Sequence, residues 1–249
     1  MFDPVKLAES TARIVTMDSE RKYYRFRSSR FYGGISTADC VGCNLRCVFC
    51  WAQSVVTRPH ECGRFYRPED VAGNLMGIAG KKHLRQLRIS GNEPTLARRH
   101  LVRVLEIIGE RRPFILETNG ILIGADEGGY AKELSRFENL YVRVSLKGTC
   151  EEEFSRLTGA VPEGFGLQLK ALENLLRYDV KAHPACMTSF SPPENILGLR
   201  KRLKEIHPSF EDFEAEELIL YPGIEERLKK KNIGFFTAYT PQNVPKEEV

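Results

Sequence analysis

The chain lacks any long apolar run. Nothing in its 249 residues approaches the roughly 18 consecutive apolar residues of a membrane-spanning helix. Its opening, MFDPVKLAESTARIV, lacks the basic-then-apolar order of a secretory signal. The expectation is a cytoplasmic protein with no membrane partner. A strong excess of one charge is also missing. Lys and Arg number 37 against 33 Asp and Glu, a net charge of +4, which is too mild to demand a nucleic-acid partner. There is no low-complexity tract and no short internal repeat. A framework of paired cysteines is not expected either, because seven cysteines is an odd number and cytoplasmic thiols stay reduced. Clustered cysteines in such a chain read as a metal or redox site.

What is present is an apolar fraction of 42%, enough to build one core in a single domain over 1–249. Short apolar runs alternate with longer amphipathic stretches. The runs are GISTA (34–38), LRIS (87–90), PFILET (113–118), LYVRVSL (140–146), VKAHPACM (180–187) and ELILYP (217–222). Several carry β-branched or aromatic residues and end in Gly, Pro or polar residues, as strands do. Between them, PEDVAGNLMGIAGKKHL opens on Pro and acids and closes on basic residues, as a helix does. LARRHLVRVLEIIGERR spaces Leu96, Leu101, Val104, Leu105 and Ile108 at helical intervals. YAKELSRFE, EEEFSRLTG with LQLKALENLLRY, and PENILGLRKRLKEIH continue the series. The alternation predicts an α/β fold, a parallel sheet with helices outside, curled into a partial barrel of about six units. The expected partition is an N-terminal extension over 1–33, a barrel core over 34–222 and a C-terminal tail over 223–249. Working residues should gather at the C-terminal ends of the strands.

The densest chemistry is DCVGCNLRCVFCW, Asp39 to Trp51, with cysteines at 40, 43, 47 and 50. CNLRCVFC has C-x3-C-x2-C spacing. Three thiolates on one loop can hold three irons of a [4Fe–4S] cubane and leave the fourth iron open. A structural zinc site takes four ligands from two separated knuckles, and three residues between two C-x2-C pairs is cramped for that. A ferredoxin-type carrier has C-x2-C-x2-C instead. The reading assigns Cys43, Cys47 and Cys50 to iron. Cys40 is left to support the site from behind or to pack as a small apolar residue. Cys62, Cys150 and Cys186 are scattered and read as structural, and no second cluster motif is visible.

CNLRCVFC matches the signature of the radical S-adenosylmethionine superfamily, C-x3-C-x-Φ-C, with Phe49 as the aromatic. The resemblance implies a partial (β/α)6 barrel covering most of 35–222. It implies S-adenosylmethionine on the open iron, one-electron cleavage to a 5'-deoxyadenosyl radical, and hydrogen abstraction from a substrate, an oxidoreductase chemistry. The electron would come from a donor such as flavodoxin or ferredoxin.

Further motifs extend the resemblance. GNEPT, at Gly91, Asn92, Glu93, Pro94 and Thr95, resembles the family's Gly-Gly-Glu-Pro, whose backbone and Glu hold the methionine ammonium. Asn92 stands for the second glycine, and Asn tolerates left-handed backbone angles. ETNG, with Glu117 and Asn119, resembles the Asp-Thr-Asn-Gly of the pyruvate formate-lyase activating enzyme group, whose acid helps bind S-adenosylmethionine. VSLKG resembles that group's Asp-Leu-Lys, with Ser145 for Asp and Lys147 retained, and RLTG (156–159) echoes its following Thr-Gly. ELILYP resembles its Glu-Leu-Leu-Pro-Tyr-His strand, with Tyr221 near the cofactor and Pro222 in place of His. The resemblance thus puts Phe49, Gly91, Asn92, Glu93, Pro94, Glu117, Asn119, Ser145, Lys147 and Tyr221 around S-adenosylmethionine.

ERKYYRFRSSRFY (20–32) holds five basic residues and five aromatics. Such a mixture can grip nucleic acid or form an edge strand with a charged outer face. His183 and His207 read as packing or surface residues. Three functions compete. The first is an activase-like radical enzyme acting on a protein. The second is a radical enzyme modifying tRNA or a cofactor precursor, since CVFCW resembles the wyosine-base enzymes. The third is an iron–sulfur electron carrier, which would have no need of the GNEP site.

Overall fold

Nine strands form a single sheet in the computed structural model, which describes residues 1–245. The strands are β1 (Thr16–Met17), β2 (Glu20–Ser29), β3 (Ile35–Cys40), β4 (Arg64–Tyr66), β5 (Gln86–Ser90), β6 (Phe114–Thr118), β7 (Leu140–Leu146), β8 (Ala182–Met187) and β9 (Glu214–Glu216). The path β3-β5-β6-β7-β8-β9 is parallel throughout, and β2 runs antiparallel beside β3. The expected mixed α/β fold with a mostly parallel sheet is thus the observed one.

Ten helices connect the strands: α1 (Pro4–Val15), α2 (Gln53–Thr57), α3 (Pro68–Lys82), α4 (Arg98–Ile108), α5 (Ile121–Ala125), α6 (Gly129–Leu134), α7 (Glu151–Thr158), α8 (Glu163–Arg177), α9 (Pro193–Ile206) and α10 (Ile224–Lys230). Their ends follow local chemistry. α3 begins on Pro68 with Glu69 and Asp70 in its first turn, ends on Lys81 and Lys82, and stops where His83 turns left-handed, an arrangement that suits the helix dipole. α7 carries three acids in its first turn and stops at Gly159.

The sheet has two unlike faces. Leu140, Val142, Val144 and Leu146 of β7 join one core with Phe114, Leu116, Phe154, Phe165 and Leu172. That core is the layer between strands and helices. The alternate residues of β7, Arg143 and Ser145, pair instead with Glu214 and Glu216 of β9. Because side chains alternate along a strand, the concave face is a lumen lined with charge.

One expectation is corrected. The sixth parallel strand was expected at 217–222 but lies at Glu214–Glu216. Glu214 and Glu216 face Arg143, which fixes their register. The apolar run that follows makes one bridge, Ile219 to Tyr239, and Leu218 packs a small core with Val48, Phe190 and Leu228. The basic aromatic arm forms a strand, one of the two forms expected of it. β2 pairs with β1, β3 and β4. Arg21 and Lys22 are buried, and Arg25 and Arg27 bind Asp39. Residues 1–33 supply the helix α1 and, to the sheet, the strands β1 and β2. Of the tail expected over 223–249, residues 246–249 lie outside the described residues.

Candidate active site

The loop after β3 carries the cysteines. It enters through Gly42, whose φ is +85° and where a Cβ would meet Thr11 and Val15 at 2.8 and 2.9 Å, so only glycine fits. α7 holds the loop from outside: Arg46 N donates to Thr158 O at 3.2 Å and Val48 N to Leu157 O at 2.9 Å. Arg227 donates to Val48 O and Cys50 O at 3.0 and 2.6 Å. The RLTG echo at 156–159 therefore serves as the brace of this loop.

Cys43, Cys47 and Cys50 are free, and each is buried or half-buried. Burial pushes all three thiols up, Cys47 to about 12, while Lys147 pulls Cys47 and Cys50 the other way. Such thiols lose protons only to a group that brings positive charge, as iron does. Among the described residues no three Cys, His, Asp or Glu side chains converge on a point that would suit one metal ion. A cubane does not need that, since each thiolate takes a different iron. Asn44, between the first two cysteines, has a buried Nδ2 with no hydrogen-bond partner among the described residues. Three free thiols and an orphan donor on one loop fit a [4Fe–4S] cluster. Cys40 is not part of that set. It donates from behind to Gly91 O at 2.8 Å.

The GNEP turn sits beside this loop. Gly91 has φ +66°, and a Cβ there would meet Asp39 at 3.1 Å. Asn92 adopts φ +56°, the left-handed conformation expected of it, and its Nδ2 donates to Cys40 O at 2.6 Å. Pro94 opens a buried turn. Glu93 is wholly buried. Its carboxylate accepts from Thr95 N at 3.0 Å, Thr95 Oγ1 at 2.6 Å, Thr118 Oγ1 at 2.7 Å and Asn119 N at 2.7 Å. Its own N–H donates to Gly42 O at 3.0 Å. In this structure the side chain clamps three loops together.

Asn119 continues the ring. Its Nδ2 donates to Asn44 Oδ1 at 2.7 Å, and its carbonyl accepts from Gln168 at 2.6 Å. Gln168 also accepts from Lys147 N at 3.1 Å and donates to Ser145 O at 3.1 Å. Gln168 was not singled out in the sequence, where a polar residue on an amphipathic helix gives no signal.

Glu117 points into the lumen. It accepts from Tyr32 Oη and Arg88 Nη1, each at 2.8 Å, and from Ser90 Oγ. Burial alone would raise its carboxyl; Arg88, Arg143 and these donors overcome that and hold it at about 2. Ser145 donates to Glu216 at 2.9 Å and is bonded by Lys147, whose ammonium lies 3.8 Å from Glu216. Burial would lower the Lys147 ammonium, but Glu216 raises it. Arg143 holds Glu214 with two nitrogens, at 2.6 and 2.8 Å, and Glu216 with the third at 2.7 Å. Arg88, Arg143, Glu214 and Glu216 went unread in the sequence. The available signal was a charge in the middle of an apolar strand, as in LRIS and YVRVS, which calls for a buried partner.

Phe49 packs on Phe190 with ring centroids 5.4 Å apart. Tyr221 is 40% exposed and forms no side-chain bond with the rest of this ring. Cys186 donates to Gly148 O at 3.3 Å, Cys150 precedes α7, and Cys62 lies 3.9 Å from Ser54 O.

Three free thiols on one loop beside a mostly parallel sheet make a candidate iron–sulfur site, and similarity to known proteins gives the family. The Radical SAM superfamily model matches residues 39–196, well over half of the chain. The chain belongs to the radical SAM superfamily, whose cofactors are a [4Fe–4S] cluster and S-adenosylmethionine. A probable GTP 3',8-cyclase of Thermococcus kodakarensis is 27% identical over 142 residues, 55% of this chain and 41% of that protein. The chain thus spans less than half the length of that relative. Among solved structures, Streptococcus suis SuiB bound to S-adenosylmethionine matches with a TM-score of 0.57 at 16% identity, over 80% of this chain and 48% of that one. TYW1 with a lysine-pyruvate adduct bound matches with a TM-score of 0.53 at 19% identity, over 92% of this chain and 76% of that one. At these identities the two structures share the fold. Among the described residues no helix is long and apolar enough to cross a membrane.

Proposed function

We propose that this radical SAM enzyme is an oxidoreductase of the cytoplasm that abstracts hydrogen from a protein or peptide, in the manner of the activase group. When bound, the cluster and S-adenosylmethionine supply a 5'-deoxyadenosyl radical; the chain supplies position and seclusion. Cys43, Cys47 and Cys50 hold the cluster. Lys147 and Glu216 offer an ammonium and a carboxylate, side by side, to the carboxylate and ammonium of the methionine part. The Gly91–Asn92 backbone completes the cradle, and Glu117 acts through Arg88 as a fixed anion in the lumen wall. The observation that carries the reading is the hydrogen-bonded ring. Through Glu93 and Asn119 it ties the cluster loop to the ends of β5 and β6.

The substrate class rests on the rim. Four of the nine exposed large apolar side chains, Trp51, Tyr221, Phe235 and Phe236, belong to connections at the C-terminal end of the strands. Trp51 follows Cys50, and Phe236 N donates to Ser189 O, just beyond β8. Aromatic residues are enriched at protein contacts, and these four support a protein partner at that end. Burial of Arg21 and Lys22 and the pairing of Arg25 and Arg27 with Asp39 take most of the arm's charge away from an RNA surface. The test offers deuterium-labelled host protein and deuterium-labelled RNA separately to the reduced enzyme. Deuterium in 5'-deoxyadenosine from protein is the expected result. Label from RNA alone overturns the substrate assignment.

A further inference from the structure

The sheet has a second opening, at the end away from the thiols. A cavity of about 400 Å³ lies there, within the roughly 300–1,000 Å³ of small-molecule sites. Gln86 opens β5 and Leu140 opens β7, Pro113 and Lys181 directly precede β6 and β8, and all four line the cavity. The cysteine loop and the GNEP turn follow the opposite ends of their strands. Tyr32, Ile115, Tyr141 and His183 make most of the remaining wall. Tyr141 is exposed, and its ring lies 5.3 Å from that of His183.

Tyr32 shows that this wall is built. It holds φ +56°, a conformation rare for a bulky residue. Its Oη donates to Glu117 at 2.8 Å and its carbonyl accepts from Gln86 Nε2 at 2.9 Å. Strain of this kind gathers at ligand clamps and active sites. Two amide oxygens are left over. The Gln86 nitrogen is spent on Tyr32, and Asn139 Nδ2 donates to Gly109 O and Arg112 O at 2.9 and 2.6 Å. Neither side-chain oxygen is bonded among the described residues. Lys181 is exposed and donates to Glu138 O at 2.7 Å, which leaves two of its three N–H groups. Arg85, next to Gln86, is exposed and forms no ion pair or side-chain hydrogen bond among the described residues. No Asp or Glu lines the cavity. Glu214 lies behind His183, 3.1 Å from its Nε2, and Glu138 is the one acid that adjoins the lining in the chain.

We propose that this cavity binds a nucleotide whose base carries an amino group. The base packs against Tyr141, the amino group donates to the Gln86 and Asn139 oxygens, and the phosphates lie on Lys181 and Arg85. Aromatic side chains stack on bases, Asn and Gln oxygens accept from base amino groups, and charge-assisted bonds hold phosphate. An apolar acid would fill the wall and meet Lys181 but leave both amide oxygens unused. A bare phosphate would leave the rings unused. The cavity and the cofactor site stand at opposite ends of the strands, so the nucleotide and S-adenosylmethionine bind together.

The test is equilibrium binding to the reconstituted protein saturated with S-adenosylmethionine. ATP and GTP are the probes, and UTP, whose base has no amino group, is the control. At least one purine nucleotide should bind with Kd below about 1 mM and more tightly than UTP. Tyr141→Ala should weaken that nucleotide and its nucleoside about tenfold and leave tripolyphosphate unchanged. Lys181→Glu/Arg85→Glu should weaken the nucleotide and tripolyphosphate about tenfold and leave the nucleoside unchanged. If Tyr141→Ala does not fold, the double variant at the exposed edge and the UTP comparison decide. Tripolyphosphate that binds as tightly as the nucleotide overturns the proposal, as do unmoved Kd values in the variants or displacement of the nucleotide by S-adenosylmethionine. A 5'-phosphorylated oligonucleotide of the same base identifies the source. Binding at least tenfold tighter than the free nucleotide assigns the site to the end of an RNA strand, and weaker binding assigns it to the free nucleotide. None of these readouts requires cleavage of S-adenosylmethionine, so they stand or fall apart from the function proposed above.

Discussion

Glu93 and Asn119 are joined by a 2.7 Å hydrogen bond from the Asn119 backbone N–H to the buried carboxylate. The contact binds the end of β6 to the turn after β5. The cluster loop joins the same ring through Asn44 and Gly42. The cofactor loops therefore form one mechanical unit, and its stability can be measured apart from catalysis.

Glu93→Ala should leave the N–H groups of Thr95 and Asn119 and the Thr118 hydroxyl without their acceptor. Each lost buried bond to a charged group costs on the order of 1.5–3 kcal/mol. Partial relaxation brings the sum to about 4 kcal/mol, or roughly 8–16 °C in Tm for a chain of this size. Thermal melts of the metal-free protein read this directly, and a fall under 3 °C would show that the clamp is not structural.

Arg143→Met should be severe. It takes from Glu214 and Glu216 the cation that holds them at 2.6 and 2.7 Å, leaving Glu214 with His183 and Glu216 with Ser145 and Lys147. Breaking one partner of a buried ion pair costs about 3–5 kcal/mol. Denaturant unfolding should show that loss, and adding Glu214→Gln and Glu216→Gln should restore part of it.

His100 gives the pH dependence. Burial lowers its pKa from 6.5 to about 4, and its ring bonds Ser19 O at 2.9 Å and Tyr23 Oη at 3.1 Å. Folding keeps this ring neutral, so the unfolded chain takes up the proton first. Its contribution is intact above pH 6.5 and is lost as pH falls towards 4. The loss is on the order of 3 kcal/mol. Unfolding free energies of His100→Gln should be flatter than wild type between those limits. Parallel curves would contradict the assignment.

Lys147→Ala should weaken S-adenosylmethionine binding about tenfold to a thousandfold while iron content stays unchanged, as expected when a donor buried against a charged ligand is truncated. Equilibrium dialysis of the reconstituted protein, with iron assayed in parallel, checks both. Unchanged affinity would remove Lys147 from the cofactor site.

Much of this was legible before any coordinates. The runs 34–38, 87–90, 113–118, 140–146 and 180–187 read as strands because apolar residues recur on the face that meets the helices, and the observed strands fall on them to within about two residues. The loops read as cofactor sites because each motif ends a strand. The lumen was not legible in the same way. Arg143 and Glu214 are 71 residues apart, and their pairing exists only once the sheet curls. The contacts of Glu93 were unread for a related reason, since its partners Thr118 and Asn119 lie at the end of the next strand. Residues 217–222 misled because an apolar run fits a strand and a small core equally well. Tyr221 was carried with that run and lies exposed.

The central claim is that three thiols, and not the fourth nearby cysteine, hold the cluster that cleaves S-adenosylmethionine. Its most direct test is 5'-deoxyadenosine formed by the reduced, reconstituted protein, scored with iron per chain. Wild type and Cys40→Ala should each hold about four irons and form the product, while Cys43→Ala, Cys47→Ala and Cys50→Ala should form none. A wild-type protein with its full iron and no 5'-deoxyadenosine, or a Cys40→Ala variant that loses both, would contradict the account.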